Sequence, residues 1–390
     1  MARVWDVVVV GGGPAGLAAA LTAARAGASV VVLERATHPR YKTCGGGLID
    51  ASTARASGWI DIPIRDHIGS AGFTLYGKRG FTRRHKDSPI LGMVVREEFD
   101  HALRKAAQDA GAFIREQALV RAVEGSGTAR LVDGETVAGQ VLIGADGSGG
   151  VTAKAVGATY AQVDLGLEVE LPVSAALADE WRGRIHIDWG RRPGSYGWVF
   201  PKGDRLTVGV IGDRREGALL KAYLSELRTN LNLDGLAPIQ DSGHLTRCRA
   251  EDSPVGAGRI LLAGDAAGLL EPWTREGISF ALRSGALAAQ AAGASEPLVA
   301  YAEGLGRDLL PEMAAGRRLL SAFRRRPALF HAALMTPPGW RAFTQMCRGD
   351  LTLHDALQRT SVRTALRLID RPASRARFDR PDRARPTLGP

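Results

Sequence analysis

The chain has 390 residues, 45% hydrophobic and 24% charged, a balance that excludes a disordered chain and suits two or three globular domains. Its three cysteines, Cys44, Cys248 and Cys347, are too few for a disulfide framework, and without a Cys-x-x-Cys or His-Glu-x-x-His run the sequence offers no zinc site. The net charge of +10 sits at one end: residues 316–390 hold 16 arginines against 5 aspartates, which suggests an anionic partner such as a membrane surface, a phosphorylated group or nucleic acid.

Val4 to Val10 is a β-branched apolar run ending in glycines, the pattern of a fully buried strand. Pro14 to Ala26 reads as a helix, with proline in its first turn and Gly27 ending it. Ser29 to Leu33 is a second buried strand. The uncharged stretch from Val7 to Ala24 is about as long as a membrane span, but Gly11-Gly12-Gly13-Pro14 breaks it. With no charged leader ahead of it, the chain is expected to be cytoplasmic. Arg96 to Gly111 is a helix with Phe99, Leu103, Ala106 and Ala107 on one face, and Gln140 to Ile143 a strand. In the middle, Asp164–Leu171, Arg184–Trp189, Tyr196–Phe200 and Arg205–Ile211 alternate apolar and polar residues, as half-buried antiparallel strands do. Ile185, Ile187 and Trp189 then share one face, opposite His186 and Asp188. Arg259 to Ala263 returns to a buried strand, followed by a helix from about Glu276 to Ala292. Beyond it the chain reads as helical, with Leu309, Leu310, Met313, Leu320 and Phe323 in one apolar stripe. Past Pro372 the composition turns to Arg, Pro and Asp, a frayed tail.

Gly11-Gly12-Gly13-Pro14-Ala15-Gly16 fits Gly-x-Gly-x-x-Gly between the first strand and helix. The first glycine makes the turn, the second lets a pyrophosphate approach the backbone, and the third packs helix on strand. The helix N-terminus supplies amides to the phosphates. Glu34, closing the second strand 18 residues past Gly16, suits a carboxylate accepting from a ribose hydroxyl, and Arg35 follows it. Gly264-Asp265-Ala266-Ala267-Gly268 again follows a buried strand and precedes a helix. An aspartate there can accept from a ribityl hydroxyl, and the helix start at Gly277 and Ile278 can face the N1/O2 edge of a flavin. Gly144-Ala145-Asp146-Gly147-Ser148 is another acidic turn at a strand end. Tyr196, Trp198 and Phe200 alternate, so all three project from one sheet face as an aromatic wall, each ring able to bury about 150–250 Å². Such a wall is an ordinary core face or the lining for an apolar chain.

Together these motifs resemble the FAD-binding pattern of p-hydroxybenzoate-hydroxylase-type flavoproteins, which implies FAD as cofactor and places Arg96, opening its helix, near it. Tyr41-Lys42-Thr43-Cys44-Gly45-Gly46-Gly47-Leu48 resembles the cysteine-glycine segment beside the flavin in the geranylgeranyl reductase family. Pro193-Gly194-Ser195-Tyr196-Gly197-Trp198-Val199-Phe200-Pro201 is similar to that family's Pro-x-x-Tyr-x-Trp-x-Phe-Pro signature at every fixed position. Arg348-Gly349-Asp350-Leu351-Thr352-Leu353 is weakly similar to its C-terminal helical region. The resemblance spans roughly residues 4–355.

We therefore expect an α/β fold with a Rossmann-like FAD-binding domain (1–60, 91–155 and 252–295) and an antiparallel-sheet substrate domain (61–90 and 156–251). A C-terminal helical extension (296–371) and a basic Arg/Pro tail (372–390) complete it. The resemblance implies reduction of carbon–carbon double bonds in a hydrophobic isoprenoid substrate, a geranylgeranyl-type polyprenyl chain, by hydride from reduced FAD. It assigns Gly11, Gly13, Pro14, Ala15, Gly16, Glu34, Arg35, Cys44, Gly45, Arg96, Asp146, Gly147, Gly264, Asp265, Gly277 and Ile278 to the cofactor. Tyr196, Trp198, Phe200 and Trp273 fall to the substrate, with Cys44 and Tyr196 as candidate proton donors. Arg40 and Lys42 flank Cys44 and would favour its thiolate. In the loop Glu271 to Gly277, Arg275 stands where the family usually carries glycine and Trp273 where a smaller residue is common; both are expected to crowd or charge the flavin face.

With one dinucleotide fingerprint, reduced nicotinamide or ferredoxin is expected as a transient electron donor. Arg317, Arg318, Arg324, Arg325 and Arg326 form the densest basic cluster. It would hold a diphosphate head group or seat the protein peripherally on anionic lipid at the inner face of the cell membrane. The aromatic run is also similar to the Trp-x-Trp-x-Ile-Pro run of flavin halogenases, so a monooxygenase or halogenase on the same fold is the alternative, although Tyr196 and Phe200 replace two of its residues. A redox-sensing flavoprotein that binds nucleic acid through its tail is a second alternative, and the tail's lack of aromatic interleaving for base stacking argues against it.

Overall fold

The computed structural model describes residues 3–86 and 88–370; the tail expected over 372–390 lies outside the described residues. Val4–Val10, Pro14–Arg25 and Val30–Leu33 form strand, helix and strand, within a few residues of the sequence reading. The first strand pairs in parallel with both Val30–Leu33 and Thr136–Gly144. Ile260–Leu262 and Phe113–Arg115 extend this eight-stranded sheet on its two sides. These parallel strands are buried on both faces, which is why the segments read as unbroken valine; Val7 to Val10 are at most 3% exposed. The covering helices approach closely. A Cβ on Gly285, in the helix Ile278–Ala292, would lie 2.0 Å from the Ala15 carbonyl oxygen, and one on Gly16 would lie 1.9 Å from that of Gly11. Only glycine permits either approach.

The second sheet has seven strands, in the order Gln240–Arg249, Tyr160–Pro172, Arg205–Asp213, Tyr196–Pro201, Arg184–Trp189, Ser70–Leu75 and Lys78–Arg84. It is antiparallel except where Arg184–Trp189 lies parallel to Ser70–Leu75. Leu220, Leu224 and Leu227 of the helix Gly217–Asn230 pack on Val199 and Val208 on one face. Helices following residue 297 cover part of the other: Phe323 meets Trp189 at 5.0 Å between ring centroids and Phe343 meets Phe73 at 5.4 Å. A third, small sheet joins Gly47–Leu48, Leu91–Val94 and Ile64–Ile68.

The strands expected to be half-buried are covered on both faces. Asp188 is 1% exposed, Asp164 2%, Glu168 1% and Glu170 5%. Asp188 is capped from the helical side by the Tyr223 hydroxyl, which donates to Oδ2 at 2.6 Å. The other three lie beneath the segment at Tyr41–Cys44 and the loop at Glu271–Glu276, cover that arrives from far away in sequence. The helix expected from about Glu276 begins at Ile278; the Glu276 carboxylate instead accepts the Ser279 N–H at 2.7 Å, closing the helix start from outside.

Candidate active site

Gly13 opens the first helix without a side-chain cap, so the leading amides have no intrahelical acceptor. A Cβ there would meet nothing nearer than Arg40 Nη2 at 3.7 Å. Beside this open backbone, Glu34 is buried, accepting the Gly12 N–H on Oε2 at 2.5 Å and the Ala36 N–H on Oε1 at 2.9 Å. A carboxylate offers about four acceptor positions, so capacity remains for hydroxyl donors. Arg40 donates to the Gly12 carbonyl at 3.3 Å and lies 3.4 Å from Asp100; Arg35 is exposed.

Asp265 lies 3.7 Å from His244 Nε2 and keeps 26% of its side chain accessible. Burial would raise its carboxyl, but His244, Lys42 and Arg96 together hold it below the usual range. An ionised acceptor ringed by cations and open to a recess is the chemistry that polyol hydroxyls need. Arg96 forks onto Asp100 at 2.8 and 2.9 Å. Burial opposes its charge, while Asp100 and Cys44 favour it. The Asp146 carboxylate accepts the N–H groups of Val151 and Thr152 at 2.7 and 3.0 Å and is thereby occupied in capping the helix Thr152–Val156. Gly147 beside it, at φ +78°, has open space. The open backbone at Gly13, the spare capacity of Glu34 and the recessed anion at Asp265 fit an FAD.

Tyr196, Trp198 and Phe200 do share one face, with successive ring centroids 5.9 and 6.3 Å apart. A Cβ on Gly45 would fall 2.9 Å from the Phe200 ring and 3.2 Å from Trp198 Nε1, so the cysteine-glycine segment is pressed against the wall. Strand register extends this face sideways. Trp198 pairs with Gly209, Gly209 with Glu168 and Glu168 with Ser242, and directly paired residues project to the same side. Gly209 is glycine because a Cβ would sit 2.2 Å from the Trp198 ring.

The buried acids of that row fix the segment. Glu168 Oε1 accepts the Cys44 N–H at 2.8 Å and the Tyr41 hydroxyl at 3.0 Å. Lys202 Nζ donates to the Cys44 carbonyl at 3.3 Å and to Glu170 Oε1 at 3.1 Å, where Thr207 Oγ1 also donates at 3.0 Å. Burial raises the Glu168 carboxyl and the Lys202 charge opposes it. Two buried polar atoms here, Glu168 Oε2 and Trp198 Nε1, have no partner among the described residues. Sequence reasoning missed Glu168 and Glu170 because alternating polar residues in a strand read as a solvent face; it also missed Ser242 and His244, on the strand Gln240–Arg249 that no local pattern marked, and Lys202, just past the strand Tyr196–Pro201.

Tyr196 donates its hydroxyl to the Thr274 carbonyl at 2.5 Å, and burial pushes its pKa up against the opposing charge of Arg275. Arg275 has φ +58°, a left-handed conformation that glycine adopts freely. Its charge is not laid bare on the flavin face as expected: Nε meets Asp164 Oδ2 at 3.0 Å, Nη1 donates to Trp273 O at 2.6 Å and Nη2 to Gly194 O at 3.0 Å. The Trp273 ring packs on Phe323 and Phe330 at 6.0 and 5.4 Å, toward the C-terminal helices.

A helix-start cradle and a recessed acid on a parallel sheet, beside an antiparallel sheet with an aromatic face, define the class: an FAD-dependent oxidoreductase. Residues 4–291 match the FAD binding domain family. Over 301 residues the chain is 35% identical to geranylgeranyl diphosphate reductase of Rhodobacter capsulatus, covering 74% of this chain and 75% of that protein. Over 309 residues it is 33% identical to menaquinone reductase of Mycobacterium tuberculosis, covering 73% and 76%. A geranylgeranyl bacteriochlorophyll reductase-like protein of Thermoplasma acidophilum superposes with a TM-score of 0.73 at 21% identity, over 91% of this chain and 99% of that one. A flavin-dependent brominase does so with 0.72 at 17%, over 94% and 100%; these two speak to the fold alone. The chain belongs to the FAD binding domain family, within its geranylgeranyl reductase group.

Proposed function

We propose that this protein saturates carbon–carbon double bonds of a polyprenyl chain. The observation that carries the reading is the aromatic wall with Gly45 packed against Phe200 and Trp198, which puts the cysteine-glycine segment and the apolar rings of Tyr196, Trp198 and Phe200 side by side. Relatives named for reduction of geranylgeranyl diphosphate and of menaquinone support it. Bound FAD, once reduced, supplies the hydride. The backbone N–H groups of Gly13, Ala15 and Gly16 would hold its pyrophosphate, Glu34 a ribose and Asp265 the ribityl chain, with Arg96 alongside. Tyr196, Trp198 and Phe200 exclude water from the alkene and align it. Cys44 is the preferred proton donor, because Glu168 and Lys202 fix its backbone N–H and carbonyl and so set where its thiol stands. Tyr196 has its hydroxyl proton engaged by Thr274 and orients the loop. Reduced nicotinamide or ferredoxin supplies electrons transiently.

The test is purified yellow protein, photoreduced without oxygen, given a geranylgeranyl lipid while flavin absorbance and product mass are followed. Reoxidation with a product heavier by two hydrogens is the expected result. The fold similarity to a brominase keeps oxygen-dependent chemistry as the second reading. A flavin that stays reduced until air enters, and then yields a hydroxylated or halogenated aromatic, would establish that one instead.

A further inference from the structure

Between Glu312 and Asp350 the chain carries seven arginines and no Asp, Glu or Lys. Within that span, residues 327–340 are uncharged, with Arg324, Arg325 and Arg326 before them and Arg341 after. The helix Pro327–Met335 occupies this run, and its two sides differ. Inward, Phe330 packs on Trp273 and Phe323, both at 5.4 Å, and His331 Nε2 lies 2.8 Å from the Arg79 carbonyl oxygen. Outward, Leu329 is 52% and Met335 48% exposed, with Ala328, Ala332, Pro337 and Pro338 exposed around them. All four flanking arginines are exposed as well. Among the described residues no helix is long and apolar enough to cross a membrane.

We propose that the helix Pro327–Met335 lies in the plane of an anionic membrane surface, with Leu329 and Met335 among the acyl chains and Arg324, Arg326 and Arg341 on the head groups. Charge and apolarity together select this occupant. Nucleic acid would use the arginines and leave two aliphatic side chains in water, whereas a lipid interface takes both at once. The inner side of the same helix reaches Trp273, in the loop whose Thr274 holds Tyr196, so the lipid-facing surface is backed by residues leading to the aromatic wall. The docking does not rest on the substrate reading and is tested apart from it.

The experiment uses the full FAD-loaded chain and co-sedimentation with extruded vesicles, either phosphatidylcholine alone or phosphatidylcholine with one-third phosphatidylglycerol. Binding to the anionic vesicles is expected to be tighter by about tenfold or more and to fall with added salt. Leu329→Ser with Met335→Ser, which leaves every charge in place, weakens it by about tenfold, and so does Arg324→Gln with Arg326→Gln. Leu329→Trp tightens it. Retained flavin absorbance certifies the fold of each variant, since all the replaced side chains are exposed. Neutralising tail residues with Arg375→Gln, Arg377→Gln and Arg380→Gln leaves most of the binding. Equal binding to the two vesicle types, no binding, indifference to the Leu329 and Met335 changes, or loss confined to the tail variant would each overturn the proposal.

Discussion

Replacing Lys202 by methionine tests the buried network that fixes Cys44. Lys202 and Glu170 side chains are 3% and 6% exposed and 3.1 Å apart, and no other cation is hydrogen-bonded to Glu168 or Glu170 among the described residues. Removing one member of a buried ion pair leaves an uncompensated charge and costs ~3–5 kcal/mol. The loss depends on pH with a definite sign. Burial raises the Glu168 carboxyl and Lys202 pulls it back, so the variant raises it further. A carboxyl raised in the folded state contributes stability that is fully present below its ordinary value of 4.5 and is lost as pH climbs through the folded value. The variant is therefore destabilised more at pH 8 than at pH 5. Adding Glu170→Leu removes the orphaned charge and recovers at least half of the loss, since a well-packed apolar replacement of a buried pair is often close to neutral. Urea unfolding followed by tryptophan fluorescence at the two pH values measures all of this. A loss below ~1 kcal/mol, or one equal at both pH values, refutes the view that this ammonium neutralises the glutamate row.

Gly16→Ala places a Cβ 1.9 Å from the Gly11 carbonyl oxygen, and overpacking at the cradle is expected to lower FAD affinity about tenfold, read from the flavin-to-protein absorbance ratio; full occupancy would show that the turn relaxes. Arg275→Gly and Arg275→Ala both strand Asp164, whose side chain is 2% exposed, but only alanine keeps a Cβ at φ +58°. The glycine variant should be the more stable by ~1 kcal/mol, and equal unfolding midpoints would contradict the strain. Burial pushes Glu276 up to about 7 against the hydrogen bond from Ser279. Its stabilising contribution is complete below about pH 4.5 and disappears as pH rises through 7; Glu276→Gln should flatten the decline in melting temperature between pH 5 and 8, and an unchanged slope would exclude Glu276 as its source.

The cofactor half of the fold is legible because its signals are local. A valine run, a glycine hexapeptide, a helix and an acid all fall between Val4 and Glu34, and each constrains the next. The aromatic wall is legible for the same reason, since alternation within six residues fixes a face. Glu168 and Glu170 are hidden because their burial depends on two non-local facts. One is the register that sets Glu168 beside Gly209 and Ser242. The other is the arrival of Tyr41 and Cys44, more than 120 residues earlier in the chain, over what looks in isolation like a solvent face. The Pro201–Leu206 hairpin is local and puts Trp198 opposite Gly209; the next strand outward follows from nothing nearby. Arg275 is legible as a departure, but its direction is not, because the partner that takes its charge, Asp164, lies 111 residues away.

The parallel pairing of Ser70–Leu75 with Arg184–Trp189 has a consequence while the protein is still being made. Thr74 and Asp188 on the two strands are 114 residues apart, which at ~5–20 residues per second is a wait of about 6–23 s on the ribosome. Through that interval the early hairpin carries Ala71 and Phe73, at most 1% exposed in the finished fold, with the Ser70–Leu75 edge still unpaired. Its outer strand bears Lys78, Arg79, Arg83 and Arg84, a cationic margin of the kind that discourages strand addition by another chain. Those four charges guard the edge that stays unpaired in the finished sheet, while the Ser70–Leu75 edge waits for residues 184–189 to pair with it.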